Sequence, residues 1–158
     1  MSAKRRLAFE QPRPFMQVDG GCVRIQILMK EKDDGNMPIL DVEIVTHPNE
    51  NSRPDLVTEL ANQAGEIFHS PPGNTWVKIR FIARENYAEN SNGSGDIFPV
   101  FVSVLKARMP SPEALQAEVT ELTVVIARVC NRPQENVHIL YLPEGAGRVA
   151  FGGKVLSG

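Results

Sequence analysis

From Pro38 onward the chain repeats one pattern of apolar residues, and this repeat limits the possible folds more than any other feature does. Four segments have the alternating or continuous apolar residues of strands: Pro38–Val45, Trp76–Ala83, Pro99–Leu105 and Val137–Leu142. Pro99 lies 61 positions after Pro38, and Val137 lies 60 positions after Val77. A near-constant offset between matching segments indicates a duplicated β-α-β unit.

Each half of the repeat also contains one segment with the spacing of an amphipathic helix. Ser52-Arg53-Pro54-Asp55 has the residue types of a helix start in the first half, and Ser111-Pro112-Glu113 has them in the second. The apolar residues that follow recur on one helical face: Leu56, Leu60, Ala64, Ile67 and Phe68, then Leu115, Val119, Leu122, Ile126 and Val129. The sequence therefore predicts one helix between the two strands of each unit.

The predicted fold is α+β, an α/β two-layer sandwich. Each β-α-β crossover is expected to be right-handed with parallel strands, so that the two units pair into one four-stranded mixed sheet. Both helices are then on one face of the sheet. The third strand is apolar on both faces from Val100 to Leu105, which favours burial on both sides. Because the helices cover only one side, we expect a partner subunit to cover the other.

The repeat divides the 158-residue chain into a predicted domain and an N-terminal extension. Residues 38–158 contain it and are predicted to form one domain. Residues 1–37 lie outside it and are interpreted as an N-terminal extension, whose one strand-like piece, Cys22–Met29, has no matching helix. We expect residues 1–36 to be absent from the natural protein, through a start site assigned too early, or poorly ordered when present.

Charge and hydropathy argue against nucleic-acid and membrane partners. Residues 1–37 carry 7 of the 17 Lys and Arg and 5 of the 19 Asp and Glu, so the predicted domain is near −4. A protein with this balance does not attract a phosphate backbone. No apolar run is long enough to span a bilayer. With only Cys22 and Cys130 there is no disulfide framework, so we expect a reduced, cytoplasmic setting.

The sequence also lacks patterns for metals and cofactors. His47, His69 and His138 have no metal-ligand spacing with each other or with cysteine. Gly145–Ala150 matches the GxGxxA pattern of dinucleotide-binding loops, but only eight residues follow it, too few for the required helix and strand. We interpret this segment as a hairpin and expect neither a metal nor a cofactor.

Met37-Pro38 followed by an alternating strand is typical of the start of a protein, although it lies inside this chain. Proline is the only residue whose free terminal amine is secondary, and an α-amino group has a pKa of about 7.7–8.0. Such an amine can act as a general base near neutral pH. Inside a longer chain the same nitrogen is a tertiary amide without a basic lone pair. The role of Pro38 therefore depends on where the mature chain begins.

Three features together resemble the tautomerase superfamily, which includes 4-oxalocrotonate tautomerase and macrophage migration inhibitory factor. They are Met37-Pro38 at the head of a strand, the β-α-β duplication, and the C-terminal segment from Val137 to Lys154. That segment resembles the family's last strand, turn and Gly-Gly hairpin. The resemblance covers residues 38–158. It implies a homotrimer in which each proline lies at the base of a small apolar-walled pocket.

The resemblance also implies roles for individual residues. Pro38 matches the catalytic proline, and Arg108 matches the arginine that 4-oxalocrotonate tautomerase uses on its substrate carboxylate. Lys78 and His138 match a position on the second and fourth strands that commonly helps to bind substrate; the alternative is that both are ordinary strand residues. Tyr87 is a candidate hydrogen-bond donor to substrate, with a loop anchor as the alternative.

The predicted function is that of a tautomerase-type isomerase acting on a small 2-oxo or enol carboxylic acid, with Pro38 as the base. Ala150 stands where the related dehalogenases have a water-activating glutamate, and Leu140 where macrophage migration inhibitory factor has a pocket asparagine. These departures argue against dehalogenation and against phenylpyruvate-type activity. Two alternatives remain. One is a decarboxylase or hydratase that uses a protonated Pro38, and the other is a non-catalytic oligomer in which the extension blocks Pro38.

Overall fold

A computed structural model describes residues 37–50, 53–90 and 97–157 of the chain. Its helices and strands are β1 Ile39–Val45, α1 Leu56–Ile67, β2 Trp76–Ile82, β3 Val100–Leu105, α2 Pro112–Cys130, β4 Val137–Tyr141, β5 Ala150–Phe151 and β6 Lys154–Val155. Strands β1 to β4 begin and end within one residue of the predicted bounds. All of these elements belong to one compact unit, residues 32–158. The expectations for residues 1–36 lie outside the described residues.

Strands β1 to β4 form one mixed sheet in the order β2-β1-β3-β4. β1 is parallel to β2 and β3 is parallel to β4, as expected for two β-α-β units. The two units join through β1 and β3, which run antiparallel with Ile39 opposite Leu105 and Ile44 opposite Val100. The predicted four-stranded mixed sheet with two helices is therefore confirmed.

Helix α2 begins and ends at residues whose chemistry favours helix termini. Ser111 Oγ accepts a hydrogen bond from the Ala114 N–H at 3.3 Å, and Pro112 follows in the first turn. Asn131 adopts a left-handed φ of 51°, which ends the helix. In the first unit, α1 begins at Leu56. The predicted cap residue Ser52 lies outside the described residues.

The core lies between the sheet and the two helices. Its buried residues on β1, β3 and α2 include Leu40, Val42, Ile44, Val100, Val102, Val104, Leu122, Ile126 and Val129. On α2 the predicted apolar stripe is buried from Leu122 onward, whereas Leu115 and Val119 are half-exposed. The described residues of this core all lie between Leu40 and Tyr141. The described residues of the core thus all belong to the domain predicted for residues 38–158.

The sheet face that the helices leave open is charged on one half and apolar on the other. Asp41 pairs with Lys78 at 2.9 Å, and Glu43 pairs with Arg80 at 2.9 Å, both across β1 and β2. On β3, Phe101 and Leu105 point to this face and are half-buried. Apolar residues therefore face both sides of β3, as the sequence predicts, whereas on β1 and β2 charged residues alternate with the core residues.

Prolines stand at the head of β1 and of β3. Pro38 and Pro99 occupy equivalent places in the two units, and both side chains are fully buried. The Pro38 carbonyl accepts a hydrogen bond from the Trp76 N–H at 3.0 Å, and the Pro99 carbonyl accepts one from the Val45 N–H at 3.0 Å. Each proline is thus tied to a neighbouring strand through its carbonyl, which requires no N–H on the proline itself.

The buried side chain of Arg132 connects three chain segments. Its guanidinium donates to the carbonyls of Phe98 at 3.0 Å, Cys130 at 3.0 Å and Val45 at 3.1 Å, and to the Glu50 carboxylate at 2.6 Å. Partial burial is the largest single influence on the pKa of Glu50 and raises it, but the hydrogen bonds from Arg132 and from the His47 N–H, together with the charge of Arg132, outweigh burial and hold that pKa below its ordinary value. Arg132 therefore fastens the end of α2 to the end of β1 and the approach to β3.

Replacing Arg132 by lysine should destabilise the fold by about 2–4 kcal/mol. An ammonium group keeps the charge but cannot reach the same set of acceptors, which leaves buried carbonyl groups without donors. Urea denaturation followed by circular dichroism measures this loss. The matched control is Arg128→Lys, because Arg128 is exposed and contacts Gln63, and we expect a change below about 0.5 kcal/mol. Equal losses in the two variants would contradict this role for Arg132.

Candidate active site

Pro38 lies at the start of β1 and is buried on all sides. Its side chain has almost no solvent contact, and Met37 before it is only 6% exposed. In a chain that begins at Met1, the Pro38 nitrogen is therefore an amide buried under Met37, and it cannot accept a proton. Only a chain that begins at Pro38 presents a secondary amine at this place.

An aromatic pair, Trp76 and Phe151, lies at the start of β2, next to the head of β1. Trp76 starts the neighbouring strand, opposite Ile39, and is 41% exposed. Its ring meets Phe151 of the β5–β6 hairpin edge to face, with centroids 4.9 Å apart. Gly152 and Gly153 turn this hairpin with φ values of 56° and 83°, a turn that other residues rarely make. Our sequence analysis did not identify Trp76 and Phe151 as site residues, although the expected parallel pairing of β1 with β2 places the starts of these two strands side by side.

Arg108 lies at the same end of the sheet as Pro38. It follows β3, which is antiparallel to β1, so residues after Leu105 lie near the start of β1. Arg108 is exposed and has no ion-pair partner among the described residues. The chain after β4 returns to the same place, because the Ala146 N–H donates to the Ala107 carbonyl at 3.1 Å. This return brings a second exposed cation, Arg148, which the sequence analysis missed and which donates to the Glu144 carbonyl.

A buried polar cluster lies under the helices at this same end. Lys106 Nζ is 2.5 Å from Glu118 Oε1, and the Tyr141 hydroxyl donates to Glu118 Oε2 at 3.0 Å. The Lys106 ammonium also lies 4.9 Å from the centre of the Phe68 ring. Burial, together with the neighbouring Glu118 carboxylate, raises the pKa of Tyr141. No local sequence pattern indicates this cluster, because its members come from three separate parts of the chain: the residue after β3, helix α2 and strand β4.

Lys78, His138 and Tyr87 lie on the open face of the sheet, away from Pro38 within one chain. Lys78 pairs with Asp41. The His138 ring stacks on Phe101 with centroids 5.2 Å apart, four positions along the ladder from the pair that contains Ile39. The ring of Tyr87 is 5.9 Å from the ring of Phe101. Pro38 and Arg108 thus share one end of the sheet. Lys78 is three positions along the ladder from Pro38, and His138 and Tyr87 lie farther along it.

The contacts of Tyr87 fit the loop-anchor alternative. Its hydroxyl donates to Glu89 at 2.6 Å, and its carbonyl accepts a hydrogen bond from Arg84 at 2.7 Å. The hydrogen bond with Glu89 raises the pKa of the Tyr87 hydroxyl. Both contacts are local in the chain, so they hold the turn after β2 in place.

A cavity of about 500 Å³ lies at the opposite end of β1 from Pro38. Its lining includes Ile44, Leu56, Phe81 and Val129, with Glu50, Arg53 and Cys130. The charged groups already have partners, because Arg53 pairs with Asp55 and Glu59 and Glu50 pairs with Arg132. Burial raises the pKa of the Cys130 thiol to about 11, which keeps it protonated at neutral pH. This cavity therefore offers neither a free charge nor a reactive nucleophile.

In the described ranges, no group of three or more His, Cys, Asp and Glu side chains is placed to hold a metal ion. Among the same residues, neither helix is long and apolar enough to cross a membrane.

The architecture is similar to that of several solved structures. The macrophage migration inhibitory factor of Oncomelania hupensis is 18% identical with a TM-score of 0.60, over 75% of this chain and 81% of that chain. That of Trichinella spiralis is 13% identical with a TM-score of 0.58, over 73% and 97% of the two chains. A fused 4-OT, described as an asymmetric trimer, is 12% identical with a TM-score of 0.60, over 73% and 94%.

No protein-family model and no curated protein matches the sequence. Identities of 12–18% show a shared fold rather than a shared activity. The fold of this chain is the tautomerase fold of macrophage migration inhibitory factor and 4-OT.

Proposed function

We propose that the chain, when it begins at Pro38, is a tautomerase-type isomerase of small 2-oxo or enol carboxylic acids. The observation that carries the proposal is the position of Pro38. It heads β1 of a tautomerase fold, and the aromatic pair of Trp76 and Phe151 and the exposed Arg108 lie at the same end of the sheet. A proline amine beside apolar rings and cations is the kind of base that proton transfer next to a carbonyl requires.

In the proposed reaction Pro38 acts first as a base and then as an acid. Its amine removes a proton from the enol oxygen or from the carbon next to the carbonyl. The resulting prolinium then returns a proton to carbon, so that the double bond moves and no atom is lost. Arg108 holds the substrate carboxylate, since a guanidinium can bind both carboxylate oxygens. The reaction requires no cofactor.

The proposal includes a homotrimer in the cytoplasm. One chain leaves a sheet face open on which Phe101 is half-buried and Leu140 is 60% exposed, and apolar surface of this kind favours association. Similarity to 4-OT trimers supports this assembly. In such an assembly, His138 or Tyr87 would reach the Pro38 end from a neighbouring copy, whereas Lys78 lies two positions after Trp76 in the same chain. The proposed binding partner is a small carboxylate. The proposal includes neither a nucleic acid nor a membrane.

A second candidate function is that of a non-catalytic oligomer. The observation that favours it is the burial of both Pro38 and Met37, which makes the Pro38 nitrogen a buried amide in any chain that retains Met37. A decarboxylase or hydratase that uses protonated Pro38 would draw on the same end of the sheet. Product analysis distinguishes it from an isomerase, because decarboxylation releases carbon dioxide and hydration adds water.

Removal of the extension should switch the activity on. We expect a protein that starts at Pro38 to ketonise 2-hydroxymuconate, whereas an uncleaved full-length chain should not, because its Pro38 nitrogen is an amide.

Pro38→Ala should slow the trimmed protein by about tenfold or more, since a primary amine is a more basic and less constrained base. Ultraviolet absorbance follows the reaction, and mass spectrometry verifies each N-terminus. Pro99→Ala is the control, because it removes an equivalent buried proline that is never terminal. Equal activity of the uncleaved chain would disprove amine catalysis.

Arg108→Ala should raise KM by about tenfold and leave kcat within about twofold, because it removes binding that substrate and transition state share. Steady-state kinetics on 2-hydroxymuconate measure both constants. Arg128→Ala, an exposed arginine on α2, is the matched control and should change neither. A loss confined to kcat, or the same change in both variants, would remove Arg108 from the carboxylate site.

The trimmed protein should be a trimer that depends on the open sheet face. Leu140→Glu places a charge on this face without disturbing the core, because Leu140 is 60% exposed in one chain. We expect it to dissociate the trimer at micromolar concentration. Val124→Glu, which is exposed on α2 on the opposite side, should leave the trimer intact. Analytical ultracentrifugation measures the mass, and a parent protein that sediments as a monomer would contradict the assembly.

A further inference from the structure

The buried cluster of Lys106, Glu118 and Tyr141 has no role in the proposed reaction. The side chains of Lys106 and Glu118 are 12% and 16% exposed, so both charges are largely withdrawn from water. Burying an ion pair rarely adds net stability, because the cost of desolvation offsets the attraction between the charges. Stability alone is therefore a weak reason for placing this pair under the helices.

The register of the sheet places this pair beside Pro38. The ladder between β1 and β3 ends with Ile39 opposite Leu105, so the next positions to face each other are Pro38 and Lys106. Both point to the helix side of the sheet, since Leu40 and Val104 two positions inward are core residues on that side. Side chains directly opposite on antiparallel strands are about 5 Å apart at their Cβ atoms.

We propose that the Lys106–Glu118 ion pair sets the pH at which the Pro38 amine loses its proton. This inference rests on the proposed function in one respect, namely that the working chain begins at Pro38. Lys106 and Glu118 act through the amine and touch no reacting atom, so both are positioning residues. Together they place one positive and one negative charge on the helix side of the sheet beside Pro38. The combined electrostatic effect of these two charges controls the proton affinity of the amine.

The two charges act on the amine in opposite directions. The Lys106 ammonium disfavours a second cation nearby, whereas the Glu118 carboxylate favours one. Because the pair is largely withdrawn from water, solvent and salt screen it less than surface charges. Asp41 on β1 and Lys78 on β2 pair with each other on the open face, three positions from Pro38. Among the described residues, further titratable or charged groups at this end of the sheet are His69 after α1, Arg108 after β3, Glu144 and Arg148 after β4, and Lys154 on β6. These five residues are exposed, so their influence is weaker.

The sign of each substitution follows without knowledge of the distance to the amine. Lys106→Met leaves the Glu118 carboxylate alone, so the amine should hold its proton to a higher pH. Glu118→Gln leaves the Lys106 ammonium alone, so the amine should lose its proton at a lower pH. Tyr141→Phe removes a neutral hydrogen-bond donor from Glu118 and leaves both charges in place. It serves as the matched control.

The experiment is an NMR titration of the protein that starts at Pro38, prepared with ¹⁵N-labelled proline. The chemical shift of the terminal nitrogen, followed against pH, reports the midpoint of its protonation. We expect Lys106→Met to raise this midpoint by roughly one pH unit and Glu118→Gln to lower it by a similar amount, each about a tenfold change in proton affinity. Tyr141→Phe should stay close to the parent. The full-length chain should show no such titration.

Opposite shifts in the two charge variants support the proposal, and an unchanged midpoint in both, or shifts in the same direction, overturns it. If Lys106→Met does not fold, Glu118→Gln, which keeps the shape of the side chain, still decides the matter. A purely structural pair would lower the thermal midpoint in both variants without moving the titration.

The titration requires no turnover, so it separates the two proposals. A protein without activity on enols whose midpoint still shifts would refute the proposed function and leave this inference standing. An active protein whose midpoint does not move would support the proposed function and refute this inference.

Discussion

The antiparallel pairing of β1 with β3 is the contact on which the rest of the structure depends. It joins two β-α-β units that each contain only a parallel strand pair, and it makes one core out of two incomplete ones. The same register decides which residues meet at each end of the sheet. It brings the residues after β3, including Lys106 and Arg108, to the start of β1, and it separates His138 from Pro38 by most of the length of the strands.

The sequence was sufficient for the elements and their order because these depend on local patterns. Strand alternation, helix periodicity and the Ser111 cap are all properties of neighbouring residues, and the offset between the halves added the duplication. The charged half of the open sheet face was not expected from the apolar pattern. Asp41 and Glu43 could be recognised in the sequence as polar positions of a strand. Their pairing with Lys78 and Arg80 could not, because it depends on the parallel register of β1 and β2.

The candidate site was predictable only in part, and the reason is again long-range register. Pro38 and Arg108 were found through their places at strand ends, which a resemblance can match residue by residue. Trp76, Phe151 and Lys106 were missed because nothing near them in the sequence indicates a site. Arg132 was missed for the same reason, since its acceptor Val45 is 87 residues away. Sequence patterns describe which face a residue occupies, and the strand pairing decides which residues share an end.

Because Pro38 and Pro99 occupy equivalent places, the number of basic proline nitrogens in the protein depends on whether its two halves are joined in one chain. A protein assembled from separate halves would carry a terminal proline on every β-α-β unit, and each unit would have its own amine. Joining the halves into one chain turns the second of these nitrogens into a permanent amide, however the N-terminus is processed. Pro99 keeps the buried place and the carbonyl hydrogen bond of a strand-heading proline, but no lone pair. The duplicated fold thus contains two proline positions and at most one basic nitrogen between them, which makes its two halves chemically unequal.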